Sequence, residues 1–113
     1  MTAPAGSPSL VSLDAIREAR TAIAPHVHHT PVMGSSYLGS RAGAWVVLKL
    51  ELFQKTGSFK ARGVVNTLRQ LSAEERARGV ISLSAGNHAQ ALAWGASRFG
   101  ISATIVMPST AVP

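Results

Sequence analysis

The sequence predicts an α/β fold, a partial parallel sheet of βαβ type with flanking helices. Three observations carry that prediction. Segments with apolar residues three and four apart alternate with short β-branched runs along the 113 residues. Residues 80–84 and 102–107 are two such runs with one helix-period stretch between them, so the strands are expected to be parallel and the crossover right-handed. Hydrophobic residues make up 46% of the chain and charged residues 14%, enough apolar surface to bury a core.

Residues 1–11, rich in Ala, Pro, Gly and Ser, read as a flexible tail, and residues 12–113 as the folded part. Ser12 is placed to cap the first helix, Asp14 suits the positive helix end, and Val11 can staple onto Ile16. Ile16, Ala19 and Ile23 then share one face, and Pro25 ends the helix. Residues 26–40 contain Pro31, Gly34 and Gly39 and read as an extended loop with at most one short turn. Residues 45–50 form the first strand. Residues 51–57 read as a polar connection, after which Ser58 can cap a second helix whose Val64, Leu68 and Leu71 face the core. Residues 72–75 carry a capping-box pattern and open a short third helix closed by Gly79. A strand over 80–84 turns tightly through Ala85, Gly86 and Asn87 into a fourth helix, with Ala89, Leu92, Ala93 and Ala96 on one side. A strand over 102–107 follows. Parallel sheets need cover on both faces, and these elements supply it only in part, so residues 12–113 read as an incomplete domain.

The net charge of +6 raises the question of nucleic acid, yet the basic residues are scattered and no aromatic residues alternate with them to stack bases. No nucleic-acid partner is expected; a small anionic ligand accounts for local positive charge equally well. No apolar run reaches the roughly 18 residues that a membrane helix needs, and the first residues lack the charged-then-apolar order of a secretory signal. A cytoplasmic protein without membrane partners is the expectation. The absence of cysteine removes disulfides and thiolate metal sites. His26, His28 and His29 lie close in sequence but in a loop with no fourth ligand nearby, so no metal is expected. Neither a Ser-His-Asp order nor an acidic pair is evident. Trp94 and Phe99 fall at helical positions and read as packing residues.

Two constellations carry chemistry. The first is Lys55-Thr-Gly-Ser-Phe-Lys-Ala-Arg-Gly63. It places Lys60 and Arg62 in the first turn of a helix, where the partial positive charge disfavours cations. The dipole and Arg62 are both expected to push the Lys60 amine toward its neutral, partly buried form, the state that attacks an aldehyde. Gly57 and Gly63 allow close approach of a ligand. The order Lys-Thr-Gly-Ser does not have the spacing of a nucleotide-binding phosphate loop. The second constellation is Ser84-Ala-Gly-Asn-His-Ala-Gln90 at a strand-to-helix turn. The free N–H groups of a helix start, with donors from Ser84, Asn87 and His88, make a site for a carboxylate or phosphate. Ordinary helix capping by Asn87 with a turn at Gly86 is the plainer alternative.

Together these stretches resemble the fold-type II pyridoxal-phosphate (PLP) enzymes, and within them the serine/threonine dehydratases and serine racemases. The resemblance runs through residues 50–63 and 84–91, with weaker support from His29-Thr-Pro-Val32 and Met107-Pro108. It implies the N-terminal part of a tryptophan synthase beta-like fold, with pyridoxal 5'-phosphate as cofactor. It also implies that Lys60 bonds to the cofactor aldehyde and moves protons on one of its faces. Phe59 should lie against the pyridine ring and Asn87 should bond the ring oxygen. Ser84, Ala85, Gly86, Asn87 and His88 should hold the carboxylate of a small hydroxyamino-acid substrate. The reaction implied is loss of water and ammonia from L-threonine or L-serine to give a 2-oxo acid. Serine racemases carry a second serine where this chain has Ala85, which favours a dehydratase; a serine racemase or hydroxyaspartate dehydratase is the alternative. In the family the glycine-rich phosphate loop and the partner of the pyridine nitrogen lie further along the chain. The activity is therefore expected of a longer parent, a homodimer or higher oligomer when full length, and this chain alone is expected to be inactive. A non-catalytic remnant or a regulatory partner of a full-length relative is the alternative of another class.

Overall fold

The computed structural model describes residues 10–111, so most of the expected tail lies outside the described residues. The first helix, α1 (Leu13–Ile23), begins as the sequence predicts, with the Ser12 side chain accepting from the Ala15 N–H at 3.1 Å. Its expected buried face is incomplete. Ile23 is buried, but Ile16 and Val11 are mostly exposed, so a staple between them would shelter little.

The stretch 26–40 is not a loop. It contains strand β1 (Val32–Gly34) and helix α2 (Ser36–Ala42). Ser35 caps α2 by accepting from the Leu38 N–H, a local signal that short elements make easy to miss. Strand β1 forms by pairing antiparallel with β2 (Val47–Lys49), which is shorter than the expected 45–50. This hairpin-like pair is a sheet of its own, separate from the parallel one. The polar connection that follows is wound into two 3-10 turns, Glu51–Phe53 and Lys55–Gly57.

Helix α3 (Lys60–Leu68) starts one residue later than a Ser58 cap would place it. Phe59 takes the cap position with helical backbone angles, while Ser58 is extended and buried, its hydroxyl without a partner among the described residues. Helix α4 (Ala73–Arg78) has the full capping box: Glu75 N–H donates to the Ser72 hydroxyl, and Ser72 N–H donates to the Glu75 carboxylate. The βαβ unit has the expected order and parallel pairing. Strand β3 (Val80–Leu83), helix α5 (Asn87–Phe99) and strand β4 (Ala103–Val106) form it, and β3 pairs parallel with β4 from Val80–Ala103 to Leu83–Val106.

The core lies where α3 and α5 meet over this sheet. Val64 and Leu68 of α3 pack with Ala91, Leu92 and Ala96 of α5 and with Ile101. Gly95 sets the closeness of that contact. A Cβ there would sit 2.6 Å from Val64 Cγ1 and 3.1 Å from Leu68 Cδ1, so no larger residue lets the helices meet this way. The opposite face of the sheet, with Ile81, Leu83 and Val106, is open to solvent among the described residues. The result is that the first turn of α3 and the first turn of α5, which carry the two motifs, are held by one apolar contact.

Candidate active site

The loop before Lys60 is tied down by polar bonds. Gln54 is buried, and its side-chain amide pairs with the backbone of His28 as a neighbouring strand would. His28 N–H donates to Gln54 Oε1 at 2.8 Å, and Gln54 Nε2 donates to the His28 carbonyl at 2.8 Å. The same Oε1 accepts from the Lys55 N–H. The chain then reverses through Thr56, a non-glycine residue at φ 59°, and Gly57 at φ 67°. A β-branched residue in this left-handed region is strained by about 1–2 kcal/mol and stays there only when its neighbours impose it.

Arg62, on the far side of Lys60, forms a fork on Glu51, with Nη2 to Oε1 at 2.7 Å and Nε to Oε2 at 2.9 Å. Thr30 donates its hydroxyl to the same carboxylate, and Arg62 Nη2 also reaches the His28 carbonyl. The Arg62 hydrogen bonds first, then the Thr30 hydroxyl and the charges of Arg62 and Lys49, hold the Glu51 carboxyl down to about 2 against the opposing effect of burial. Arg62 thus has its charge partner in Glu51. The expectation of a partly buried amine is corrected. Lys60 is exposed, with Nζ 5.1 Å from the centroid of the Phe59 ring, itself exposed.

The second motif folds around Ser84. Its hydroxyl accepts from the Gly86 N–H at 3.3 Å and the Ala89 N–H at 3.2 Å, so Ser84 closes the start of α5. Capping by Asn87 does not occur; Asn87 is the first helical residue and its side chain is exposed. Gln90 N–H is satisfied by the Gly86 carbonyl, which leaves the N–H groups of Asn87 and His88 without acceptors among the described residues. His88 folds back onto the sheet, with Nε2 3.0 Å from the Ser82 hydroxyl.

A cavity of about 460 Å³ lies between α3, β3 and α5, bordered by Phe59, Lys60, Gly63, Ser82 and His88 over an apolar floor that includes Leu92. The volume falls in the ordinary range for a small-molecule site. The structure thus brings Phe59, Lys60 and His88 to one cavity, while Ser84, Ala85, Gly86 and Asn87 sit at the turn beside it and do not line it. An amine on an aromatic face, a shaped space and two free N–H groups form a donor set that fits an aldehyde-bearing, anionic aromatic cofactor. Two of the three loop histidines make contacts of their own: His26 lies 5.2 Å from the Phe99 ring, and His28 Nδ1 is 3.0 Å from the Phe53 carbonyl. Sequence reasoning missed Thr30, Glu51 and Gln54, which a local pattern could not have paired with residues so distant.

Comparison with known proteins agrees with this reading. Residues 23–113 match the family described as "Pyridoxal-phosphate dependent enzyme". A protein of Thermotoga maritima named L-threonine ammonia-lyase is 50% identical over 99 residues, which are 88% of this chain and 25% of that protein. A catabolic L-threonine dehydratase of Staphylococcus aureus is 50% identical over 103 residues, 90% of this chain and 30% of that protein. The structure of maize serine racemase matches 85% of this chain with 30% of its own, at a TM-score of 0.78 and 47% identity. The chain therefore spans between 25% and 30% of the length of these curated relatives. A match over residues 23–113, joined to the two motifs and the parallel βαβ unit, means that the chain belongs to the pyridoxal-phosphate dependent enzyme family, whose cofactor is pyridoxal 5'-phosphate.

Proposed function

We propose that this chain supplies the cofactor-bearing lysine and the carboxylate-binding turn of an enzyme that converts L-threonine or L-serine to a 2-oxo acid. The β-hydroxyl leaves as water, water returns at Cα, and ammonia is released. The observation that carries the proposal is the convergence of two packed helix starts: Lys60 from α3 and His88 from α5 border one cavity, with Asn87 exposed beside it. Relatives of the lyase type at 50% identity support the reaction class.

When bound, pyridoxal 5'-phosphate supplies the electron sink that makes a Cα proton removable. The residues of this chain divide the remaining tasks. The Nζ of Lys60 would hold the cofactor at its aldehyde carbon, then carry a proton to and from Cα on the face it occupies. The Phe59 ring would lie against the pyridine, and the Asn87 amide would bond the ring oxygen. The Asn87 and His88 N–H groups, at the positive end of α5, would receive the substrate carboxylate. His88 would be kept at the cavity wall by Ser82. The Ala85 side chain has no exchangeable proton to give from the opposite face, which favours elimination over racemisation. In this reading residues 12–113 are the lysine-bearing part of a longer dehydratase domain that works as a homodimer, and the 113-residue chain alone turns over little threonine.

The test is chemical labelling. The chain is mixed with pyridoxal 5'-phosphate, reduced with borohydride and mapped by peptide mass. Label is expected on Lys60 above Lys49 and Lys55, and Lys60→Ala should remove it while leaving the melting temperature within about 2 °C, since an exposed side chain adds little to stability. Equal label on all three lysines, or none, would refute the assignment.

A further inference from the structure

Lys60 is exposed, so its own packing does not decide where its amine points. Its position comes from the backbone on either side, and that backbone is clamped twice to one distant segment. Before it, the buried Gln54 amide holds both the N–H and the carbonyl of His28 and also receives the Lys55 N–H. After it, Arg62 reaches the same His28 carbonyl and grips Glu51, which Thr30 also holds. One carbonyl, that of His28, is thus the shared acceptor for residues on both flanks of the lysine. Between the clamps lie the left-handed pair Thr56 and Gly57 and the buried hydroxyls of Thr56 and Ser58, which have no partner among the described residues. Such a turn does not hold itself, because the strained residue and the unpaired hydroxyls each favour another conformation.

We infer that Gln54, acting with the Glu51–Arg62 pair, is a positioning residue for Lys60: the clasp on His28 keeps the 55–59 turn in the one shape that aims the amine at the cavity. This rests on the reading of Lys60 as the cofactor lysine. The clasp touches neither cofactor nor substrate, so its loss should show as a change in where the amine is, not as loss of the fold.

The test compares the intact chain with Gln54→Leu, which removes all three amide bonds, and Gln54→Glu, which keeps the acceptor and loses only the donor to His28. Ile101→Ala serves as a core control remote from the loop. Two measurements are made: the ratio of borohydride-trapped pyridoxal 5'-phosphate on Lys60 to that on Lys55, and amide hydrogen exchange over residues 55–61. Both Gln54 variants should lower the ratio about tenfold or more, as small misplacements of a reacting group do, and should speed exchange in the loop. Ile101→Ala should keep the ratio. An unchanged ratio and unchanged exchange in Gln54→Glu and Gln54→Leu would overturn the inference and leave the Lys60 assignment standing. If the intact chain shows no preference for Lys60, the assignment falls, and exchange alone then decides whether Gln54 orders the loop. A ratio lowered as much by Ile101→Ala as by Gln54→Glu would also overturn it, because general loosening would then suffice.

Discussion

The α3–α5 half of the molecule and the segment around Gln54 and Arg62 do the same job by different physics. The first places a helix start by apolar contact: Val64 and Leu68 against Ala91, Leu92 and Ala96, with Gly95 admitting them. The second places a loop by hydrogen bonds to a carbonyl and one partly buried ion pair. Apolar packing is indifferent to pH and tolerant of direction, so it fixes distance between helices. Hydrogen bonds are directional and answer to charge, so they fix the orientation of a turn. A site that needs an amine at a set distance and angle draws on both.

This contrast can be broken experimentally. The largest expected effect is on the apolar side. Leu68 is 1% exposed, and Leu68→Ala should cost about 2–5 kcal/mol in urea unfolding with no dependence on pH. A pH-dependent loss there would mean that the two halves are not separable. Next comes Gly95→Ala, which drives a methyl into Val64 and should cost about 1–3 kcal/mol. If it were neutral, the helices would have more room than their contact implies.

The smallest effect belongs to the polar side and carries its own signature. Glu51→Gln should cost about 1–2 kcal/mol at neutral pH, allowing for the solvent that reaches the pair. The folded-state carboxyl titrates at about 2, below its ordinary 4.5. The unfolded chain therefore takes up the proton first, and the contribution of Glu51 is present above about pH 4.5 and lost as pH falls toward 2. Urea unfolding between pH 6 and pH 2.5 should show this component in the natural chain and lack it in Glu51→Gln. The same slope in both would remove Glu51 from the account.

The two halves also differed in how far the sequence revealed them. The βαβ unit and the α4 capping box were legible because their signals are local: a period, a strand-like run, a Ser with a Glu three residues on. The β1–β2 pair was not, since three-residue strands have no pattern until they find each other. Ser58 looked like a cap from its neighbours, yet its hydroxyl receives no helix N–H among the described residues, and Phe59 occupies the position instead. The motifs around Lys60 and Asn87 were visible through family resemblance. Their supports were not, because Gln54 and His28 stand 26 residues apart and nothing near either announces the other. The partner of Arg62, Glu51, comes from an earlier turn, and no local pattern joins the two.

Thr56 has a consequence for anyone who would move this motif elsewhere. Its left-handed backbone is imposed from outside, by a segment that passes beside the loop rather than through it. A synthetic peptide of residues 51–62 would keep every side chain of the motif and relax to extended chain, with the lysine aimed nowhere in particular. The signature is not a portable cassette; a graft that is to keep the shape of the turn must bring residues 28–30 along as its mould.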